Sequence, residues 1–220
     1  MAQVLVLANS RKNSGRCVAG VDLVTRKWVR PVGARPTGEL ARPEYTVRSD
    51  SARTEVLPGD VVEMPLGQSR ASVYHPEDIQ IAGPWTLLEH WGPSQVLHEM
   101  EHLVQHNAPL FGSADDRLSV SGIRNRSNHS SLQLALSDLS TFFWTTSMSG
   151  SPQLRGTVKT GDTWVDLSVT DPRIESELRG HQPTKVANCL LTISLGVPFH
   201  PQGATEDFCF KTIAAVMPLT

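Results

Sequence analysis

This sequence predicts a mainly β fold, in two strand-rich halves joined by a helical connector. Three observations carry that reading. Gly 16 and Pro 15 in 220 residues mark frequent turns, which favour short strands over a helical bundle. Short apolar or alternating runs recur along the chain, bounded by turn residues. Only one stretch, 94–106, sustains a helical apolar stripe. Many short strands with Gly and Pro turns argue for barrels or sandwiches. No repeat at a period of about 20 to 50 residues points to a solenoid or propeller.

The elements follow in chain order. Residues 3–8 read as a buried opening strand, and 17–23 with 27–32 as a hairpin turning at Thr25-Arg26-Lys27. Residues 33–58 are rich in Pro, Arg and Ser and read as a long loop, a length that marks a functional or mobile segment. Pro58-Gly59-Asp60 is a turn, 61–66 a strand, and 78–81 a strand closing the first half. In 94–106, Val96, Leu97, Met100, Leu103 and Val104 form one stripe. Ser94 can cap that helix and Asn107-Ala108-Pro109 ends it. The second half offers strands at 132–136, 141–146, 154–160, 163–170, 189–195 and 208–217, with a hairpin turn at Thr160-Gly161-Asp162. Asp171 caps a short helix that begins at Pro172 and runs through Arg179. The expected division is 1–92, a connector 93–108, and 109–220.

Charge is unevenly spread. Residues 1–53 carry ten Lys and Arg against four acids, and the remainder ten against eighteen. A basic quarter on an acidic body suggests a local anion site or a solvated basic face. It argues against a protein that coats long duplex DNA, which would be basic overall. Cys17, Cys189 and Cys209 form no C-x-x-C, which excludes a thiolate zinc ribbon. Cys17 and Cys209 read as small buried residues. The first charges follow an apolar run, the reverse of a secretory signal, and no run reaches the ~18 apolar residues of a membrane span. A reducing cytoplasm and no membrane partner are the expectation, and the N-x-S sequons at Asn125 and Asn128 carry no weight there.

Residues 9–33 hold the strongest functional signal. Arg11, Lys12 and Arg16 sit in a Gly- and Ser-bearing loop, and Trp28 and Arg30 lie on the hairpin that follows. Cations beside one large aromatic suit an anionic, stackable ligand such as a single strand or a nucleotide. Trp164, on the polar face of 163–170 near Arg155 and Lys159, is a second stacking candidate. Lys211 stands in an otherwise apolar strand, either snorkelling at an edge or aimed into a site. The rival reading makes each Trp a packing residue and Arg30 half of an ion pair with Asp22 or another strand carboxylate. The basic stretch 121–126 is either a phosphate contact or a solvated turn.

His98-Glu99-Met100-Glu101-His102 is a literal H-E-x-x-H. On a helix, His98 and His102 could share a zinc and Glu99 could activate its water. Glu101 puts a charge where a buried active-site helix would have none. The apolar stripe leaves the two His on the polar side. A third ligand (His106, Glu175 or Glu177) has no fixed spacing. A surface helix explains the pattern more simply, and no cofactor is expected. Asp166, Asp171, Glu175 and Glu177 are an acidic group that capping and solvation explain.

Several segments together resemble the dual OB-fold-containing domain family: Ser10-Arg11-Lys12, Gly15-Arg16-Cys17-Val18-Ala19-Gly20 and Trp28-Val29-Arg30-Pro31-Val32 near the start, then Thr170-Asp171-Pro172, Ser194-Leu195-Gly196-Val197-Pro198-Phe199 and Cys209-Phe210-Lys211-Thr212-Ile213-Ala214-Ala215 near the end. The resemblance implies two OB-like small β-barrels joined by the helical connector. It implies a non-enzymatic module for nucleic acid or a nucleotide, in the setting of bacterial genome-conflict systems, and brings no catalytic residue set. The alternatives are a zinc-dependent hydrolase at His98-Glu99-x-x-His102, or an assembly subunit whose barrels bind protein partners in a larger complex.

Overall fold

The computed structural model describes residues 1–49, 52–126, 129–147 and 149–219; Asn128, one of the two sequon asparagines, lies outside them. The first half holds β1 (Ala2–Lys12), β2 (Gly15–Asp22), β3 (Trp28–Val32), β4 (Thr46–Ser49), β5 (Ala52–Glu55), β6 (Asp60–Met64), β7 (Leu66–Ser69), β8 (Asp78–Ile81) and β9 (Trp85–His90). The helix α1 (Pro93–Met100) leads to β10 (Val104–Gln105), β11 (Arg117–Ser119), α2 (Val120–Arg124), β12 (Leu132–Thr146), β13 (Pro152–Thr160), β14 (Thr163–Val169), α3 (Pro172–Glu177), β15 (Thr184–Leu195) and β16 (Phe208–Pro218). The chain is mainly β, as the turn-rich composition predicts.

An unbroken apolar run makes β1 a strand buried on both faces. Val4 and Val6 pack with Val18, Leu40, Val62 and Trp85 inside the first half. Leu5 and Leu7 face the other way, against Val96 and Met100 of α1 and Leu134, Leu190 and Met217 of the second half. Nine strands follow the order β5-β4-β9-β6-β1-β2-β3-β8-β7. In the second half β12 pairs with β13, β13 with β14, β14 with β16, β16 with β15, and β15 again with β12, a closed five-stranded ring. Phe142, Leu154, Val158, Leu167, Leu191 and Ile213 fill it. Gly156 makes room for this packing: a Cβ there would lie 2.8 Å from Ile213 Cδ1 and 2.9 Å from the Phe142 ring.

Four expectations need correction. Residues 33–58 are more than a loop, because β4 and β5 lie within them and Leu40, Tyr45 and Val56 are core residues. The strand at 78–81 does not close the first half, because β9 follows it and turns Trp85 and Leu87 inward. The helix of 94–106 ends at Met100; one 3₁₀ turn follows, and Val104 and Gln105 turn extended to pair in parallel with Leu134 and Ala135 of β12. The stripe still does its work, since Leu103 and Val104 pack in the layer between the halves. Strands 132–136 and 141–146 are one strand, because Ser137 and Ser140 satisfy their hydroxyls on each other and on the Leu139 carbonyl instead of breaking it.

The halves share buried apolar surface. Ala8 and Ala19 pack against Leu132, Ala214 and Ala215. Across the same seam Thr192 Oγ1 donates to the Leu7 carbonyl at 2.6 Å, and the Arg11 amide donates to the Thr170 carbonyl at 2.7 Å. Among the described residues no helix is long and apolar enough to cross a membrane.

Candidate ligand cleft

Where the seam opens to the surface it leaves a cleft of about 830 Å³, within the range of small-molecule sites. One wall is the end of β1 and its turn, Ser10 to Asn13, with Arg30 and Val32 of β3 and the segment Gly33 to Gly38. That segment folds on itself: Gly38, at φ +75°, donates to the Arg35 carbonyl at 2.9 Å, while Gly33 donates to the Gly38 carbonyl at 3.2 Å. The opposite wall is Thr170, the end of β15 with Gly196 and Val197, and Thr212 of β16. Arg70, His75 and Asp78 complete the lining.

The cleft is cationic. Arg11, Lys12, Arg30, Arg35 and Arg70 line it, with Asp78 as the one acid among the lining residues. These cations are not equally free. Arg30 is 3% exposed, and its Nε donates to Asp78 Oδ1 at 2.5 Å. Arg11 meets the buried Glu175 at 2.5 Å, and Arg35 lies 3.5 Å from Glu39. Lys12 donates to the Thr37 carbonyl at 2.6 Å, and Arg70 to Gln80 Oε1 at 2.9 and 3.2 Å. Neither of those partners carries a charge, so Lys12 and Arg70 leave most positive potential in the cleft.

His75 is the buried titratable group of the lining. Burial, then the charges of Arg30 and Lys12, push its imidazole down to about 3. In the unfolded chain the same ring takes its proton near 6.5. Stability is therefore whole above pH 6.5 and falls as pH drops toward 3, by up to about 1.4 kcal/mol per pH unit. Urea unfolding at pH 7 and pH 5 should show a loss in the wild type that exceeds the loss in His75→Phe by about 2 kcal/mol. Equal losses in the two proteins would show that His75 is not held neutral.

Of the seven ligand-binding candidates in the sequence, the fold brings Arg11, Lys12 and Arg30 to the cleft. Arg16 lies outside the lining, with its guanidinium 5.3 Å from the Tyr45 ring and 3.5 Å from Glu55. Trp28 is half-buried and packs against the apolar layer between the halves. Trp164 lies opposite Lys159 on β13 and is 51% exposed, on a surface apart from the cleft. Lys211 is buried; its ammonium donates to the carbonyls of Ser113, at 2.8 Å, and of Asp115. Burial pulls it down to about 8. It fastens the segment before β11, beside a second pocket of about 400 Å³.

Arg35, Arg70 and His75 were not among the ligand candidates of the sequence, and the Gly196-Val197 edge lies in a segment that counted there only toward the family resemblance. Arg35 stood in the long basic loop, which was the available signal. A lone His in a turn gives none. Cys17, read as buried, is half-buried and lines the cleft. In the stretch 121–126, Arg124 donates to the Tyr74 hydroxyl and Arg126 to the Phe111 carbonyl, both at 2.8 Å.

In the H-E-x-x-H stretch, His98 lies in α1 and His102 in the following 3₁₀ turn, while Glu101 pairs with His106 at 2.9 Å. Among the described residues no group of three His, Cys, Asp or Glu side chains is placed to hold a metal ion. In the acidic group, Asp171 caps α3 and Glu175 meets Arg11.

A family model described as a dual OB-containing domain matches residues 2–216. No curated protein and no solved structure matches the chain.

Proposed function

The chain belongs to the dual OB-containing domain family, and from that premise we propose that it is a non-enzymatic binding module for nucleic acid or a nucleotide, with the cleft between its halves as the site. We divide it into an OB-like barrel at 1–92, a helical connector at 93–108 and an OB-like barrel at 109–220. The five-stranded ring of the second half supports that division, since OB folds are five-stranded barrels that present a strand face and loops to oligonucleotides. The setting we propose, on the family resemblance alone, is a larger complex of a bacterial genome-conflict system.

The observation that carries the reading is the convergence of Lys12 and Arg70, with neutral partners, on a half-open cleft at the seam. Phosphate is the ligand group that such cations recognise. His75 is the one aromatic ring among the described lining residues, so stacking has little part. The size of the cleft, about 830 Å³, favours a nucleotide or the end of a strand over a long run of bases. Arg16, Trp28, Trp164 and Lys211 have no part in this reading.

Fluorescence anisotropy of labelled single-stranded DNA, single-stranded RNA and duplex DNA tests it, with unlabelled nucleoside monophosphates as competitors. Lys12→Ala/Arg70→Ala should weaken binding at least 10-fold at low salt. It should also make the slope of log affinity against log salt shallower by about 1.4, at roughly 0.7 for each single-strand phosphate contact. No binding of any probe by the wild type would sink the reading and leave a protein partner as the ligand to test.

A further inference from the structure

His75 carries a feature that phosphate binding does not use. His75 is 7% exposed and lines the cleft. Nδ1 lies 3.0 Å from Ser131 Oγ. Nε2 is buried and, among the described residues, has no hydrogen-bond partner. Buried polar atoms are almost always paired, so a closed-off orphan on a residue that lines a cleft asks for an explanation.

The pairing of Ser131 sets the tautomer. Its hydroxyl donates to Glu77 Oε1, and its amide faces Glu77 Oε2 at 3.4 Å. A carboxylate can only accept, so the Ser131 proton goes to Glu77 and Ser131 Oγ must accept from His75. His75 therefore carries its proton on Nδ1 and a lone pair on Nε2. The chain from Glu77 through Ser131 to His75 spans the seam between the halves, joining the segment before β8 to the residue before β12.

We propose that a small turn of the His75 ring presents Nε2 as an acceptor to an N–H or O–H of the ligand, so that the cleft reads a phosphate-bearing molecule that also presents a hydrogen-bond donor. This rests on the cleft being the site proposed above. Lys12 and Arg70 bind the anionic end, and His75 selects among anions by what they carry beyond the phosphate. A nucleoside phosphate supplies such donors on its base edge and on its sugar hydroxyls. Burial and the nearby Arg30 and Lys12 keep the ring neutral, so the lone pair stays available at ordinary pH. An anion lacking a donor would leave Nε2 unpaired, and a site built to bond a donor discriminates strongly against such an analogue.

The test titrates the four ribonucleoside 5′-monophosphates, ribose 5-phosphate and sulfate, which carries no donor, into wild type and His75→Phe by calorimetry. The ¹⁵N resonance of His75 Nε2 is followed in the wild type. The expected result is a loss of at least 10-fold for nucleotides in His75→Phe, unchanged affinity for sulfate, and a shifted Nε2 resonance on nucleotide binding. An equal loss for ribose 5-phosphate places the donor on the sugar; a loss confined to nucleotides places it on the base. Should His75→Phe not fold, the wild-type resonance decides alone. Nucleotide binding that leaves Nε2 unmoved overturns this inference while the cleft reading stands. Binding of none of the probes by the wild type overturns both.

Discussion

Arg30→Met should lower stability by about 3 to 5 kcal/mol, the usual cost of breaking a buried ion pair from one side. Arg30 and Asp78 face each other directly across the parallel pairing of β3 with β8. Their side chains are 4% and 15% exposed, and the contact is 2.5 Å. Methionine fills much the same volume, so the loss comes from Asp78, left mostly buried with its charge unmatched. Thermal unfolding should read this as a melting temperature lower by roughly 10 °C, at about 2 to 4 °C per kcal/mol for a chain of this size. In Arg30→Met/Asp78→Leu both charges are gone and most of the loss should return. If the double variant is as unstable as the single one, the ion pair is not the source. The pair also bears on function. The sequence offered Arg30 as a phosphate ligand or as half of an ion pair with a strand carboxylate, and the structure supplies that carboxylate as Asp78. Its charge is largely spent within the fold, so the cleft's free potential rests on Lys12 and Arg70.

What was legible in the sequence, and what was not, divides along the range of the interaction. Strands showed wherever alternation or an unbroken apolar run was local, as in β1, β2 and β14. The Asp171 cap and the Gly161 turn showed because they depend on neighbours within a few residues. The end of α1 did not, because Val104 and Gln105 are drawn into an extended pairing by β12, about thirty residues further on. The continuity of β12 across Ser137 and Ser140 was hidden because those hydroxyls find each other only once the strand is curved into the ring. For the cleft, the basic cluster Arg11-Lys12 could be read directly. Its other wall comes from Thr170, β15 and β16, which no local pattern joins to residue 12. His75 was invisible for a stronger reason. Its character depends on Ser131 and Glu77, and nothing in a sequence says that a His in one half will bond a Ser in the other. The aromatic residues could not be sorted because exposure cannot be read from spacing: Trp28 is packed against the seam and Trp164 stands in the open.

Asp171→Ala should cost about 2 to 4 kcal/mol, although the residue touches no ligand-facing group. Asp171 is 1% exposed. Oδ1 accepts from the Arg173 amide at 3.0 Å, which caps α3. Oδ2 accepts from the Val216 amide of β16 at 3.1 Å and from Arg173 Nη2 at 2.9 Å. One carboxylate thus ties a helix start to a strand of the closed ring. Removing it loses a cap, worth about 1 kcal/mol, and strands a buried amide, worth about 1 to 3 kcal/mol more. Asp171→Asn separates the two parts: its carbonyl can still serve one amide, so the variant should fall between alanine and wild type. Urea unfolding would order the three proteins, and alanine and asparagine variants of equal stability would refute the two-amide account. The cleft should respond as well. Thr170 lines it and holds the Arg11 amide across the seam, and Glu175, on the helix that Asp171 caps, holds the Arg11 guanidinium. When that helix start loosens, Arg11 is freed from Glu175 and its charge turns outward. Asp171→Ala should then bind anionic probes no more weakly than wild type while unfolding more readily, opposite to Lys12→Ala/Arg70→Ala, which should lose binding and keep its stability.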